Sequence, residues 1–593
     1  MGSDEKDVLK VIDKYATVFN AMVQDIFARA GKESGQTAPN PFNFERLQNL
    51  LADETKVDMS KLVNQQFDYI QKQSELWQQA SKALMGEKPE TATNGTNQNK
   101  DKRFKHADWE NNPVFHYIKE SYLLNAEMLT NMVDAVEFTD KKKHQQAQFF
   151  TRQYVNSLSP TNYILTNPEV CDEIMATNGQ SLVKGMQAYL EDLEHSPLEA
   201  LKMRQSDASA FTIGGNLANT PGKVVFRNDI IELLHYTPTT KTTHQTPILI
   251  TPPFINKYYV MDLEPKKSLV KGLLDSGYQV FMISWVNPEK DSADTDFFDY
   301  MREGPITAIE VVKEITNKKQ VNLTGFCVGG TLSAITAAYL RGKGDKSIKS
   351  LTLLTTLLDF QEPGEVGNYF SEEMLPMIEQ NAEIKGVFDG RIIAMSFSLL
   401  RENNLFWSFF IENYLKGKDP APFDILYWNS DSTNIPAACF KQYLRMTYWE
   451  NALIEPGKVE VDGIKIDLSN IDMPTYFLSS VADHIVLWQA AYEGTKLVSG
   501  KPRFVLAGSG HIAGVINPID GGKYPHWIND ELPETAEDWQ KGAQEQVGSW
   551  WKDWHAWLKP HSGTRVKPIV PGEHEFYPAL EDAPGQYVKR ILD

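Results

Sequence analysis

The chain has 593 residues, a mass of 67.2 kDa and 59 basic against 78 acidic side chains, for a formal net charge of −19. That length calls for two domains, and the acidic balance argues against a nucleic-acid partner and against any general pull towards anionic membranes. No apolar run approaches the roughly 20 residues that span a bilayer, and the N-terminus is amphipathic and acidic, unlike a signal peptide. A cytoplasmic protein is expected. Its three cysteines, Cys171, Cys327 and Cys439, stand far apart without metal-ligand spacing, so neither a disulfide framework nor a metal site is expected.

The first part of the chain reads as helical. Val8, Ile12, Tyr15, Phe19, Met22, Val23 and Ile26 make one apolar stripe over residues 4–30. A second helical stretch covers about 60–85, and the polar run from Gly86 to Arg103 reads as a flexible connector. Helical patterns return over 105–205 with aromatics at Trp109, Phe115, Tyr117, Tyr122, Phe149, Phe150 and Tyr154. These stripes pack helices onto the rest of the protein or offer a surface for an apolar partner, and the sequence does not separate the two. The expected divisions are 1–103, helices and linker; 104–215, a helical domain; and 216–593, a catalytic domain.

From about residue 225 short strands alternate with helices. Ile248–Ile250, Val280–Ser284, Val321–Leu323, Leu351–Leu354, Tyr476–Ser479 and Phe504–Leu506 are apolar on both faces, as in a buried parallel sheet. The fold class expected is α/β, with an open sheet. Between about 360 and 470 the alternation lapses into an aromatic-rich insertion, placed to form a cap over the site. Gly342 to Ser347 lacks the spacing and strand of a phosphate loop and reads as a polar turn.

Gly325-Phe326-Cys327-Val328-Gly329-Gly330 has the form of a nucleophile elbow with cysteine where serine is usual. The glycines let a strand turn sharply into a helix and hold the nucleophile exposed in a strained conformation. In an α/β-hydrolase fold the acid follows a late strand and the histidine the last one. Asp483 lies just beyond the strand at 476–479, and His511 just beyond the strand at 504–506. His484, next to the acid, is the competing base. In this reading His511 takes the thiol proton of Cys327 and Asp483 orients the imidazole. The N–H of Val328, at the helix N-terminus, is the first oxyanion donor, and that of Ile255, in the loop after 248–250, the second. A thiol nucleophile suits thioester donors, because exchange of thioester for thioester is nearly thermoneutral.

The elbow, Pro252-Pro253-Phe254-Ile255-Asn256-Lys257-Tyr258-Tyr259, Trp428-Asn429-Ser430-Asp431-Ser432-Thr433-Asn434 and Ser509-Gly510-His511-Ile512-Ala513-Gly514 together resemble the polyhydroxyalkanoate synthases of the single-subunit class I type, from about residue 105 to the C-terminus. The resemblance implies an α/β-hydrolase fold with a cap insertion behind a helical N-terminal domain. It implies polymerisation of (R)-3-hydroxyacyl-CoA into a storage polyester through an acyl-Cys327 intermediate, with coenzyme A released as part of the substrate and no further cofactor. It also implies a homodimer, attachment to polyester granules in the cytoplasm, and contact with granule-associated proteins through the N-terminal domain. Asp262 matches an acidic position of the family, with a structural or substrate-positioning role. Arg401 is a candidate partner for coenzyme A phosphates, with a surface ion pair as the competing reading. Ala513, beside His511, leans the monomer preference towards short side chains. Trp428 is expected at a subunit contact or in an ordinary core. A cysteine-dependent acyl-CoA thioesterase or dienelactone-type hydrolase is the alternative, with water as the acceptor.

Overall fold

The computed structural model describes residues 56–57, 59–85, 101–138, 140–197, 200–371, 374–520 and 522–592. The stripe expected over 4–30 and most of the polar connector lie outside the described residues. The chain divides into two compact units.

One unit takes the described residues up to Gln205 together with Met395–Ala421. Its helices include Met59–Leu84, Pro113–Asp134, Lys141–Ser157, Pro168–Ala176 and Gln180–Glu194. Several starts are written in the sequence. Asn112 and Asn167 precede Pro113 and Pro168, and each caps its helix by accepting a backbone N–H with its side-chain oxygen. Trp109, Tyr122, Phe149 and Phe150 are buried, as helix packing requires.

The expected cap is divided between the two units. Leu399, Phe406, Trp407, Phe410, Tyr414 and Leu415 form one apolar core with Ile164, Val170, Ile174, Leu182 and Tyr189. Polar contacts fix the same packing: Tyr414 donates to Asp192 at 2.7 Å, and buried Glu402 accepts from Asn156 at 2.6 Å and Gln153 at 3.1 Å. The segment 395–421 therefore clusters with the N-terminal helices, although in sequence it continues the insertion.

The other unit, Ser206–Ala394 with Pro422–Asp593, is built on an eleven-stranded sheet. In chain order its strands are β1 (Gly222–Arg227), β2 (Ile231–Tyr236), β3 (Ile248–Thr251), β4 (Val280–Trp285), β5 (Val321–Phe326), β6 (Ile348–Leu354), β7 (Thr475–Ser480), β8 (Pro502–Ala507), β9 (His526–Ile528), β10 (Gln544–Gln546) and β11 (Glu581–Asp582). They lie in the order β10-β9-β8-β7-β6-β5-β3-β4-β2-β1-β11. The six strands from β8 to β4 are parallel, and they are the six read from sequence. The flanking strands pair antiparallel. One apolar core lies on each face, and Cys439 is buried in one of them.

The C-terminal tryptophans pack into the cores on both faces of the sheet. Trp539, Trp550, Trp551 and Trp554 are fully buried, while Trp527 and Trp557 are half-buried. The residues 342–347 form a helix end and turn, with Gly344 at φ 81°.

Candidate active site

The nucleophile position is made by backbone geometry. β5 ends at Phe326, helix Val328–Gly342 begins at Val328, and Cys327 between them has φ 53° and ψ −125°. A side chain pays for that conformation in strain, so the surroundings must over-determine it. Cys327 N–H donates to the Leu354 carbonyl of β6 at 2.9 Å, and its own carbonyl accepts from Gly330 N–H at 2.8 Å and Thr331 N–H at 3.2 Å. The glycines make room for this turn. A Cβ at Gly325 would stand 2.5 Å from the Gly330 Cα, and one at Gly329 would stand 2.4 Å from the carbonyl oxygens of Thr251 and Pro252. The thiol itself is half-buried.

The acid and base reach the thiol because β7 and β8 are parallel neighbours, with Ser480 paired to Ala507 at their ends. The loops that follow both strands leave the same sheet edge. His511 Nδ1–H donates to Asp483 Oδ2 at 2.6 Å. Asp483 Oδ1 is held by the N–H groups of Ile485 and Val486, each at 2.9 Å. The imidazole also stacks on Phe326, with 5.5 Å between ring centres. Below the His511 turn, the Trp550 indole N–H donates to the Gly514 carbonyl at 3.0 Å, and that of Trp551 to the Val515 carbonyl at 2.9 Å.

Charge follows from this geometry. Burial pulls the imidazole of His511 down, but the carboxylate of Asp483 and the sulfur of Cys327, within hydrogen-bonding reach, overcome it and push His511 up to about 10. With Nδ1 committed to Asp483, Nε2 is the nitrogen left for the thiol. Cys327, Asp483 and His511 are therefore brought together.

The other residues singled out from sequence are placed as follows. Val328 is the first residue of its helix, so its N–H has no intrahelical acceptor. Ile255 is half-buried in the loop after β3. Ala513 is half-buried two residues beyond His511. Asp262 is buried, accepts from the hydroxyls of Thr220 and Ser268 at 2.6 Å each, and is pushed up to about 6 by burial, against those hydrogen bonds. Arg401 belongs to the helical unit, where it is exposed. Trp428 is buried and donates its indole N–H to the Lys257 carbonyl at 2.6 Å.

Two residues of the insertion were not singled out from sequence. Tyr443 and Tyr448 pack edge to face with 6.0 Å between ring centres, and both hydroxyls are pushed up by burial, with the charge of nearby Cys327 adding to it. Tyr443 also packs on Phe254 and stacks on Phe297. The aromatic richness of the insertion was the only signal pointing to them.

A largely parallel sheet with a nucleophile elbow, acid and histidine in that chain order is the α/β-hydrolase fold, here with a thiol in the nucleophile's place. Residues 254–518 match the family described as alpha/beta hydrolase fold, and residues 100–273 match the Poly-beta-hydroxybutyrate polymerase (PhaC) N-terminus. The chain is 42% identical over 541 residues to the poly(3-hydroxyalkanoate) polymerase subunit PhaC of Cupriavidus necator, covering 90% of this chain and 89% of that one. It is 43% identical over 491 residues to the poly(3-hydroxyalkanoate) polymerase of Methylorubrum extorquens, covering 82% and 80% of the two chains. The chain belongs to the poly(3-hydroxyalkanoate) polymerase family, as a class I type enzyme, and is an acyltransferase of polyester synthesis. No described helix is long and apolar enough to cross a membrane. Among the described residues no cluster of three or more His, Cys, Asp or Glu side chains is arranged to hold a metal ion.

Proposed function

We propose that the chain polymerises (R)-3-hydroxyacyl-CoA with short side chains, such as 3-hydroxybutyryl-CoA, through a covalent acyl-Cys327 intermediate. His511 Nε2 takes the thiol proton, and the sulfur attacks the thioester carbonyl. The tetrahedral oxyanion is held by the N–H groups of Val328 and Ile255. The carbon–sulfur bond to coenzyme A then breaks, and the leaving thiolate takes the proton back from His511. In elongation a 3-hydroxyl gives its proton to the same nitrogen and attacks a thioester carbonyl, forming an oxoester and releasing a thiolate. Asp483 stabilises the imidazolium at both stages.

The observation that carries this reading is the His511–Asp483 pair at 2.6 Å beside the strained Cys327 elbow. No cofactor enters, since coenzyme A arrives with the substrate. The small side chain of Ala513 beside His511 favours short monomers. The exposed Arg401 guanidinium suits coenzyme A phosphates, and the buried bonds of Asp262 suit the structural role. We assign the protein to the cytoplasm at the polyester granule surface, as a homodimer whose N-terminal domain meets granule-associated proteins.

Incubation with (R)-3-hydroxybutyryl-CoA, following coenzyme A release and turbidity in wild type and Cys327→Ala, tests the proposal. Release with insoluble polyester, lost in the variant, is expected. Release with only free hydroxy acid would make the enzyme a thioesterase or dienelactone-type hydrolase.

A further inference from the structure

The loop after β3 and the Trp428–Asn434 segment meet in the structure through residues that have no part in the chemistry above. Lys257, at the end of the loop after β3, forms a buried ion pair with Asp431 at 2.6 Å, and both side chains are about 95% buried. Tyr259 donates its hydroxyl to the other carboxylate oxygen at 2.9 Å. Trp428 donates to the Lys257 carbonyl at 2.6 Å, and Asn256 forms a β-bridge with Ser432. Lys257 Nζ also donates to the Arg590 carbonyl at 2.8 Å.

The segment that supplies these contacts is itself fixed. Asn434 N–H donates to Asn287 at 3.0 Å, and its side chain donates to the Pro288 carbonyl at 3.2 Å and accepts from Gly390 N–H at 3.1 Å. A Cβ at Gly390 would stand 2.4 Å from the Thr433 carbonyl oxygen, so two backbones are in close approach there.

At its other end the same loop is pinned to the core. Trp285 donates its indole N–H to the Pro252 carbonyl at 2.9 Å, and that oxygen also faces Gly329 of the elbow. Phe254 is buried against Trp285, Phe297 and Tyr300. Ile255 thus lies between an anchor on the elbow side and an anchor at Asn256–Lys257. Its N–H can hold a fixed direction only if both anchors hold.

We propose that Lys257 and Asp431 are positioning residues, a buried ionic clamp by which the Trp428–Asn434 segment of the insertion aims the Ile255 N–H at the acyl carbonyl. The inference rests on the oxyanion role proposed above for Ile255. A buried ion pair is a costly way to gain stability, since an apolar pair of similar volume usually serves as well. Its geometric exactness is what a loop carrying a transition-state donor needs, because small misplacements of such a donor cost rate. Burial lowers the pKa of Lys257 while the charge of Asp431 opposes that pull, so the charged pair depends on its own geometry.

The test compares two reactions of the same thiol. Alkylation of Cys327 by iodoacetamide passes through no oxyanion, whereas acylation by (R)-3-hydroxybutyryl-CoA does. The variants are Lys257→Met, Asp431→Asn and the double Lys257→Met/Asp431→Asn, which leaves no unpaired buried charge and so guards against simple unfolding. Single-turnover acylation is expected to fall about 10–100-fold in all three, a part of the loss that follows removal of an oxyanion donor. Alkylation should keep the wild-type rate. Parallel loss of both rates, or unchanged acylation, overturns the clamp. Replacing residue 255 by its α-hydroxy acid, so that an ester oxygen stands where the N–H was, separates the two layers of the inference. Slow acylation in the ester variant with wild-type rates in the clamp variants rejects the clamp alone. Unchanged acylation in the ester variant rejects the oxyanion role and the clamp with it.

Discussion

Replacing Asp483 by Asn should move the proton of His511 by a measurable amount. The imidazole stands at about 10 instead of 6.5, although burial acts the other way. At about 1.4 kcal/mol per tenfold change, the charges of Asp483 and Cys327 together favour the imidazolium by about 5 kcal/mol net. Asp483 is the largest of the causes that raise it, and the neutral amide gives that charge up. With that pull gone, burial is opposed by less charge, and His511 should titrate clearly below 10. The sign for stability follows from a raised base. The stabilising contribution is complete below pH 6.5 and is lost as the pH rises through about 10, so wild type should exceed Asp483→Asn most clearly below 6.5 and converge with it towards 10. Histidine-labelled protein followed by NMR over this range, with His511→Gln to assign the resonance among the 12 histidines, reads the titration directly. A His511 resonance that titrates at the same pH in wild type and Asp483→Asn would refute the reasoning.

Three further outcomes are expected. Gly329→Ala should destabilise the catalytic unit by about 1–3 kcal/mol, because the new methyl meets two backbone carbonyls that cannot step aside; an unchanged melting temperature would contradict the elbow packing. Asp262→Asn should flatten the pH dependence of stability between about 4 and 6. The raised acid of the wild type gains stability as the pH falls through 6 towards 3.8, in a pocket it shares with the hydroxyls of Thr220, Ser268, Tyr236 and Tyr258. Melting curves at pH 7 and 5 measure it. Glu402→Ala should cost the helical unit about 1–3 kcal/mol by leaving the buried Asn156 amide without its acceptor and taking one of two acceptors from Gln153, and Glu402→Gln should cost less, as denaturant titration would show.

What the sequence reveals here tracks how local the cause is. The six parallel strands are legible because burial on both faces leaves uninterrupted apolar runs. β2 is just as buried but carries Glu232 and His235, which breaks its run. Glu232 is tolerated there because nearby Arg227 pairs with it and the N–H groups of Gln586 and Tyr587, which no local window contains, donate to it. Cys327, Asp483 and His511 are legible because each follows a strand end in a recognisable turn. The grouping of Met395–Ala421 with the N-terminal helices is not, since its aromatic spacing looks the same whichever core it fills. Nor is the approach of Tyr443 and Tyr448 to Cys327, or the pairing of Lys257 with Asp431, because each is decided by tertiary contact between distant segments.

The most direct test of the central claim is the mass of the protein itself. Rapid mixing with (R)-3-hydroxybutyryl-CoA, acid quenching and peptide mass analysis should find a hydroxybutyryl adduct, or its oligomers, on the peptide carrying Cys327, absent in Cys327→Ala and scarce in His511→Gln. Polyester formed at the wild-type rate by Cys327→Ala, or an adduct on another residue, would contradict the account.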